Sequence, residues 1–83
     1  MTRSFRFGII LFSMGARSAW QDTARRVEDL GYDVLTVPDH VTMCAPFPAL
    51  MSAAAVTTRL QLGTMVLATS LYNPALLARD AAL

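Results

Sequence analysis

The sequence predicts an α/β chain built as part of a (β/α) barrel of the TIM type: its first three parallel strands, with alternating helices, in one unit over residues 1–83. Three observations predict this. Short, almost wholly apolar runs at 5–13, 34–37 and 60–69 alternate with segments of helical period. Such runs fit strands buried on both faces, and intervening helices of roughly ten residues fit parallel crossovers. Three parallel strands cannot close on themselves, and no strand follows the last helix. The arrangement therefore matches the opening third of a barrel whose full length is about 250 residues.

The first run, FRFGIILFS from Phe5 to Ser13, is rich in Ile and Phe, and Gly15 marks its end. A helix over about 19–30 comes next. Ser18 and Gln21 have the spacing of a capping box, and Trp20, Ala24, Val27 and Leu30 form an apolar stripe. Asp22 with Arg26, and Arg25 with Asp29, stand four apart on the other faces. Gly31 supplies a left-handed terminator. The second strand, Val34 to Val37, is stopped by Pro38, which has no amide hydrogen to donate. After a loop with Asp39, His40 and Cys44, Phe47-Pro48 opens a second helix, with Arg59 at its C-terminal end. The third strand, Leu60 to Thr69, contains Gly63, a sign of a bulge or a close backbone approach. Asn73-Pro74 then provides a cap and a first-turn proline for a final helix.

Composition narrows the function. The chain is 54% hydrophobic and 16% charged with a net charge of +1, which excludes intrinsic disorder and gives no footprint for nucleic acid or an anionic membrane. The seven basic residues are all Arg. One cysteine, Cys44, builds no disulfide framework, and no second Cys or clustered His offers a metal set. The expectation is a reducing, cytoplasmic setting. Arg3 and Arg6 ahead of the apolar run from Phe7 to Met14, with Ala16 and Ala19 behind it, trace the outline of a secretory leader. Gly8 breaks that run and an amphipathic helix follows at once, so no leader is read. No stretch reaches the roughly 18–20 apolar residues of a membrane span.

In parallel α/β folds ligands collect at the C-terminal ends of the strands. Those ends carry Phe12, Ser13 and Met14, then Asp39 and His40, then Thr69 and Ser70. The one histidine therefore falls on the functional rim beside a carboxylate, and imidazole exchanges protons near neutral pH. The plainer reading of His40 is a loop residue that caps backbone groups. Gly63, Met65 and Val66 fit either a distorted segment against which a flat ring stacks or ordinary core with a bulge. Cys44 has no base fixed beside it. Ser13 and Ser70 lack the setting of a nucleophile elbow. There is no dinucleotide fingerprint, phosphate loop or paired-carboxylate spacing.

The string ARRVEDLGYDVLTVPDHV from Ala24 to Val41, followed by LQLGTMVLATSLYNPALLARDAA, resembles the N-terminal part of the bacterial luciferase-like oxidoreductases, most of all their branch that uses coenzyme F-420. Three motifs carry the resemblance: the glycine-ended helix leading to a strand tipped by Asp-His, the L-G-T-x-V strand, and Asn-Pro opening the next helix. The resemblance implies a barrel that binds a deazaflavin, or FMN as the alternative, and performs hydride transfer or monooxygenation of a small organic substrate. It implies that His40 is the catalytic residue near the ring, as proton donor or stabiliser, and that Asp39 contacts the deazaflavin head. It further implies a non-prolyl cis peptide between Met65 and Val66, with Val66 against the central ring, Ala68 nearby and Gly63 relieving crowding. Leu71 and Tyr72 stand where many relatives carry Arg ahead of Asn-Pro, which removes a candidate contact to an anionic part of the cofactor.

The relatives continue through the remaining strands and phosphate-binding loops, so the isolated chain is expected to lack turnover of its own. A different class of reading is a non-catalytic barrel fragment, either a decayed copy or an assembly module that associates with itself or with other barrel segments. Sheet surface left uncovered forfeits about 25 cal/mol per Å², against a stability of only a few kcal/mol for small domains. A marginally stable chain is the expectation.

Overall fold

The structure, a computed structural model, describes residues 5–12 and 15–82. Element order is β1 (Gly8–Ile10), α1 (Arg17–Asp29), β2 (Val34–Val37), α2 (Pro46–Ala54), β3 (Gln61–Thr64), a 3-10 turn (Thr69–Leu71) and α3 (Pro74–Ala81). The three strands form one parallel sheet in the order β1-β2-β3. The alternation and parallel pairing are those of a partial (β/α) barrel, left open as a sheet.

Register explains which side chains enter the core. Ile9 lies beside Leu35 and Leu35 beside Leu62, while Ile10, Thr36 and Gly63 form the next row. Side chains alternate across a strand, so Ile9, Leu35, Leu62 and Val37 face one way. On that side Leu35 and Val37 join Trp20, Ala24 and Val27 of α1 and Ala49, Leu50 and Ala53 of α2 in a single cluster. Full burial of a Leu or Val is worth about 1.5–3 kcal/mol each, so this one helix-covered face carries the packing energy. Val34, Thr36 and Ile10 on the other face are half-buried. The expectation of strands buried on both faces is thus met on one face only among the described residues, because both α1 and α2 lie on the same side.

Several local expectations hold. Gly31 takes φ +94° just after α1, and β2 ends at Val37, directly ahead of Pro38. Asn73 caps α3, its side chain accepting the Ala75 N–H at 2.9 Å, with Pro74 in the first turn.

Others need correction. The Ser18–Gln21 capping box does not form: the cap is Ala16, without a side-chain bond, and Gln21 donates instead to the Ser52 carbonyl at 3.1 Å. Helix-to-helix contact outcompetes the local cap. Arg25 pairs with Asp22 three residues back, not with Asp29. α2 begins at Pro46 and ends at Ala54, so Arg59 is past its end. β1 and β3 are shorter than their apolar runs, since the sheet's pairing partner, β2, spans four residues. No bulge occurs at Gly63, where the register with β2 runs unbroken. A methyl there would meet only Thr36 Cγ2 at 3.9 Å, an ordinary contact, so within this chain Gly63 relieves no crowding.

Two braces hold the end of the sheet opposite the rim. The Glu28 carboxylate accepts the N–H groups of Thr58, Arg59 and Leu60, the last two at 2.7 Å. Arg59 returns across the gap, donating to the carbonyls of Glu28 and Tyr32. Asp33 accepts the Phe7 N–H at 2.9 Å and lies 3.7 Å from the Arg59 guanidinium. Together these contacts fix the start of β3 and the approach to β1 against the end of α1.

Candidate functional site

Parallel pairing brings the C-terminal ends of β1, β2 and β3 to one rim. Phe12 lies past β1 and is largely exposed; Ser13 and Met14 lie outside the described residues. Past β2 the chain passes Pro38 and reaches Asp39 and His40. Past β3 come Met65, Val66, Leu67 and Ala68.

Asp39 is half-buried, and its Oδ2 accepts the backbone N–H of Ala68 at 2.9 Å, joining two neighbouring strand ends across 29 residues of sequence. The carboxylate is therefore directed to the β3 exit, and it forms no ion pair with His40 among the described residues. His40 is exposed; its carbonyl accepts the Met43 N–H at 2.9 Å and closes a turn, while its imidazole makes no hydrogen bond to any described residue. That ring is free to meet a ligand.

The Met65 N–H donates to the Val37 carbonyl at 2.9 Å, carrying the ladder one step beyond β3. The next peptide bond, Met65–Val66, is cis, as the resemblance implies. Met65 is 55% and Val66 75% exposed, so two apolar side chains stand uncovered beside Asp39's hydrogen-bond partner segment. The Ala68 carbonyl accepts the Leu71 N–H and starts the 3-10 turn.

Two residues at this rim escaped the sequence reading as site components. Tyr72 closes the 3-10 turn, and its ring meets Phe47 edge-to-face, with centroids 6.3 Å apart at 84°. Burial pushes the Tyr72 phenol above its ordinary range, and the neighbouring negative charges of Asp39 and Asp80 add to the rise. No local motif announces this contact, since Phe47 is in the first turn of α2 and Tyr72 follows the 3-10 turn beyond β3. Their shared position at the mouth of the sheet is the only signal.

Cys44 is an exposed free thiol in the β2–α2 loop. Among the described residues no group of three or more His, Cys, Asp or Glu side chains could hold a metal ion. No described helix is long and apolar enough to cross a membrane.

The sheet order, the Asp-His tip of β2 and the cis bond past β3 all belong to one rim, and the family model for luciferase-like monooxygenases matches residues 6–83. The chain belongs to the luciferase-like monooxygenase family. No curated protein and no solved structure matches it. Membership in the luciferase-like family makes this an oxidoreductase scaffold for small molecules and assigns the open sheet to a (β/α) barrel.

Proposed function

We propose that this chain supplies the first three strands of the cofactor-binding barrel of a luciferase-like oxidoreductase, with coenzyme F-420 as the cofactor and FMN as the alternative. The observation that carries the reading is the Asp39–Ala68 hydrogen bond, which holds the Asp-His tip and the Met65–Val66 step at one mouth. The fit to a flat ring rests on the exposed apolar surface of Met65 and Val66. A bound deazaflavin or flavin supplies hydride transfer, or oxygen insertion, toward a small organic substrate.

The chain's own residues have distinct tasks in this reading. Val66 and Met65 form an apolar wall that excludes water from one side of the ring, with Ala68 beside them. Asp39 meets the head of the cofactor while keeping the Ala68 amide in place. His40 holds or delivers a proton at an imidazole nitrogen, which it can do near neutral pH. Further barrel strands would enclose the opposite side, so binding rather than turnover is the property to measure.

Titration of the purified chain with F-420 and with FMN, followed by cofactor fluorescence, is the test. Saturable quenching that weakens in Val66→Asp is expected. No change up to millimolar cofactor would overturn the reading.

A second reading, association through the sheet, is favoured by one observation: the half-buried face of Ile10, Val34 and Thr36 that neither α1 nor α2 covers. Size-exclusion chromatography at two concentrations separates the two. A strictly monomeric species that folds cooperatively would remove it.

A further inference from the structure

The face of the sheet that neither α1 nor α2 covers leads to the mouth where Asp39 and His40 stand, and register says which side chains it carries. Ile9 and Leu11 pack on the core, which leaves Ile10 and Phe12 to the uncovered side. Thr36 and Gly63 share the row of Ile10, and Met65 is the next position on that side of the β3 run, its N–H still donating to the Val37 carbonyl. We propose that this surface takes an uncharged, apolar organic molecule as substrate and disfavours anionic ones, with Phe12 and Met65 as the specificity-determining side chains.

Three observations carry the inference. First, the mouth is apolar and open. Phe12 is 60%, Met65 55% and Val66 75% exposed, and Phe12 and Met65 flank β2 from its two sides.

Second, polar side chains of this face are already engaged by the protein itself. The Asp39 carboxylate accepts the Ala68 N–H at 2.9 Å, and the Thr36 hydroxyl donates to the Ile9 carbonyl at 3.4 Å. At the far end Gln61 accepts from Arg6. The His40 imidazole is left to meet one polar group of the ligand.

Third, the connections that frame the mouth, residues 11–16, 38–45 and 65–73, contain no Arg or Lys and one carboxylate, Asp39. Arg17, first in α1, lines a separate cleft with Trp20, Pro48 and Ser52, and Arg6 is held by Gln61 at the opposite end of the sheet. An anion entering the mouth would leave water beside a carboxylate with no counter-charge, and desolvating an unpaired charge is costly. An uncharged molecule escapes that cost and gains by covering the exposed apolar side chains. A cofactor that lays its ring here directs its phosphate away from this part of the rim.

The inference rests on the cofactor reading for calling the occupant a substrate, and the experiment separates the two. Fluorescence titration of the full chain compares two probes with one skeleton: neutral N-phenylnaphthylamine and its anionic sulfonate, anilinonaphthalenesulfonate. The neutral probe is expected to bind saturably and at least about tenfold more tightly. Phe12→Ser and Met65→Ser each weaken it at least about fivefold, while Phe12→Leu retains it. Asp39→Asn raises the affinity of the sulfonate at least about threefold. Leu30→Ser and Met51→Ser, which alter exposed apolar surface at the opposite end of the sheet and on α2, leave both probes unchanged. Urea midpoints show that the variants are folded.

Equal affinity for the two probes would overturn the proposal, as would losses confined to Leu30→Ser or Met51→Ser. Binding that emerges only on dilution would place a second copy of the chain on this face and overturn it as well. A chain that binds neither FMN nor F-420 removes the cofactor reading, and the probe comparison still decides which chemistry the mouth accepts.

Discussion

The indole Nε1 of Trp20 donates to the backbone carbonyl of Ala49 at 2.8 Å, both residues being buried, and so joins α1 to α2 through a hydrogen bond inside the core. A buried Trp finds a partner for its N–H wherever packing allows. Here the bond crosses between the two helices that cover the sheet.

Trp20→Phe keeps most of the apolar volume and removes that donor. The expected loss is about 1–3 kcal/mol of unfolding free energy, measured by urea denaturation. Trp20→Phe within error of the wild type would show that the indole contributes by volume alone.

Glu28 is a group through which acid is expected to weaken the fold. Backbone hydrogen bonds from Arg59 and Leu60, opposed by burial and helped by Thr58 and the Arg59 charge, hold its carboxyl below the usual range. A depressed folded-state pKa means that its contribution is complete above the ordinary glutamate range. It is lost as pH falls through the lowered value. Melting temperature should therefore drop more steeply between about pH 6 and about pH 3 in the wild type than in Glu28→Gln. Parallel slopes would assign acid sensitivity elsewhere.

Two glycines make a matched pair. Gly31 has φ +94° with open space around a would-be Cβ, so Gly31→Ala is destabilising through backbone conformation alone, by about 1–2 kcal/mol. Gly63 has ordinary backbone and ordinary contacts, so Gly63→Ala should stay within about 0.5 kcal/mol. Thermal melts of both variants check the contrast.

His40 is exposed and joins no described hydrogen bond through its ring, so His40→Ala should leave the melting midpoint unchanged within about 0.5 kcal/mol. Its FMN or F-420 affinity should fall. A lower midpoint with unaltered affinity would place the residue in the fold's support instead.

Much of the architecture is legible along the chain because its signals are local. Gly31, Pro38 and Asn73-Pro74 each act on their own backbone, and each marks a boundary where the structure has one. The apolar runs locate three strands, yet their lengths exceed the strands formed, since pairing depends on how far β2 extends and not on hydropathy. Of the apolar stripe read on α1, Trp20, Ala24 and Val27 are core, whereas Leu30, past the helix end, is 66% exposed. Asp39 and His40 are visible as a pair at a strand tip, but the partner of Asp39 is not, because Ala68 offers only a backbone N–H. The same holds for Glu28, which by spacing is one more charge on a helix surface and in space clasps the chain some 30 residues later. Gln21 reads as a cap and serves α2 instead. Contacts that span connections leave no mark in spacing, and the Phe47–Tyr72 pair is the plainest case.

The unbroken register from β1 through β3 sets a reading frame for the sheet. One codon gained or lost just ahead of Leu35 would invert the orientation of the later positions in β2, turning Leu35 and Val37 to the other face of the sheet and Thr36 toward the helices. Evolutionary insertions in this chain should therefore collect in the connections and spare the staves.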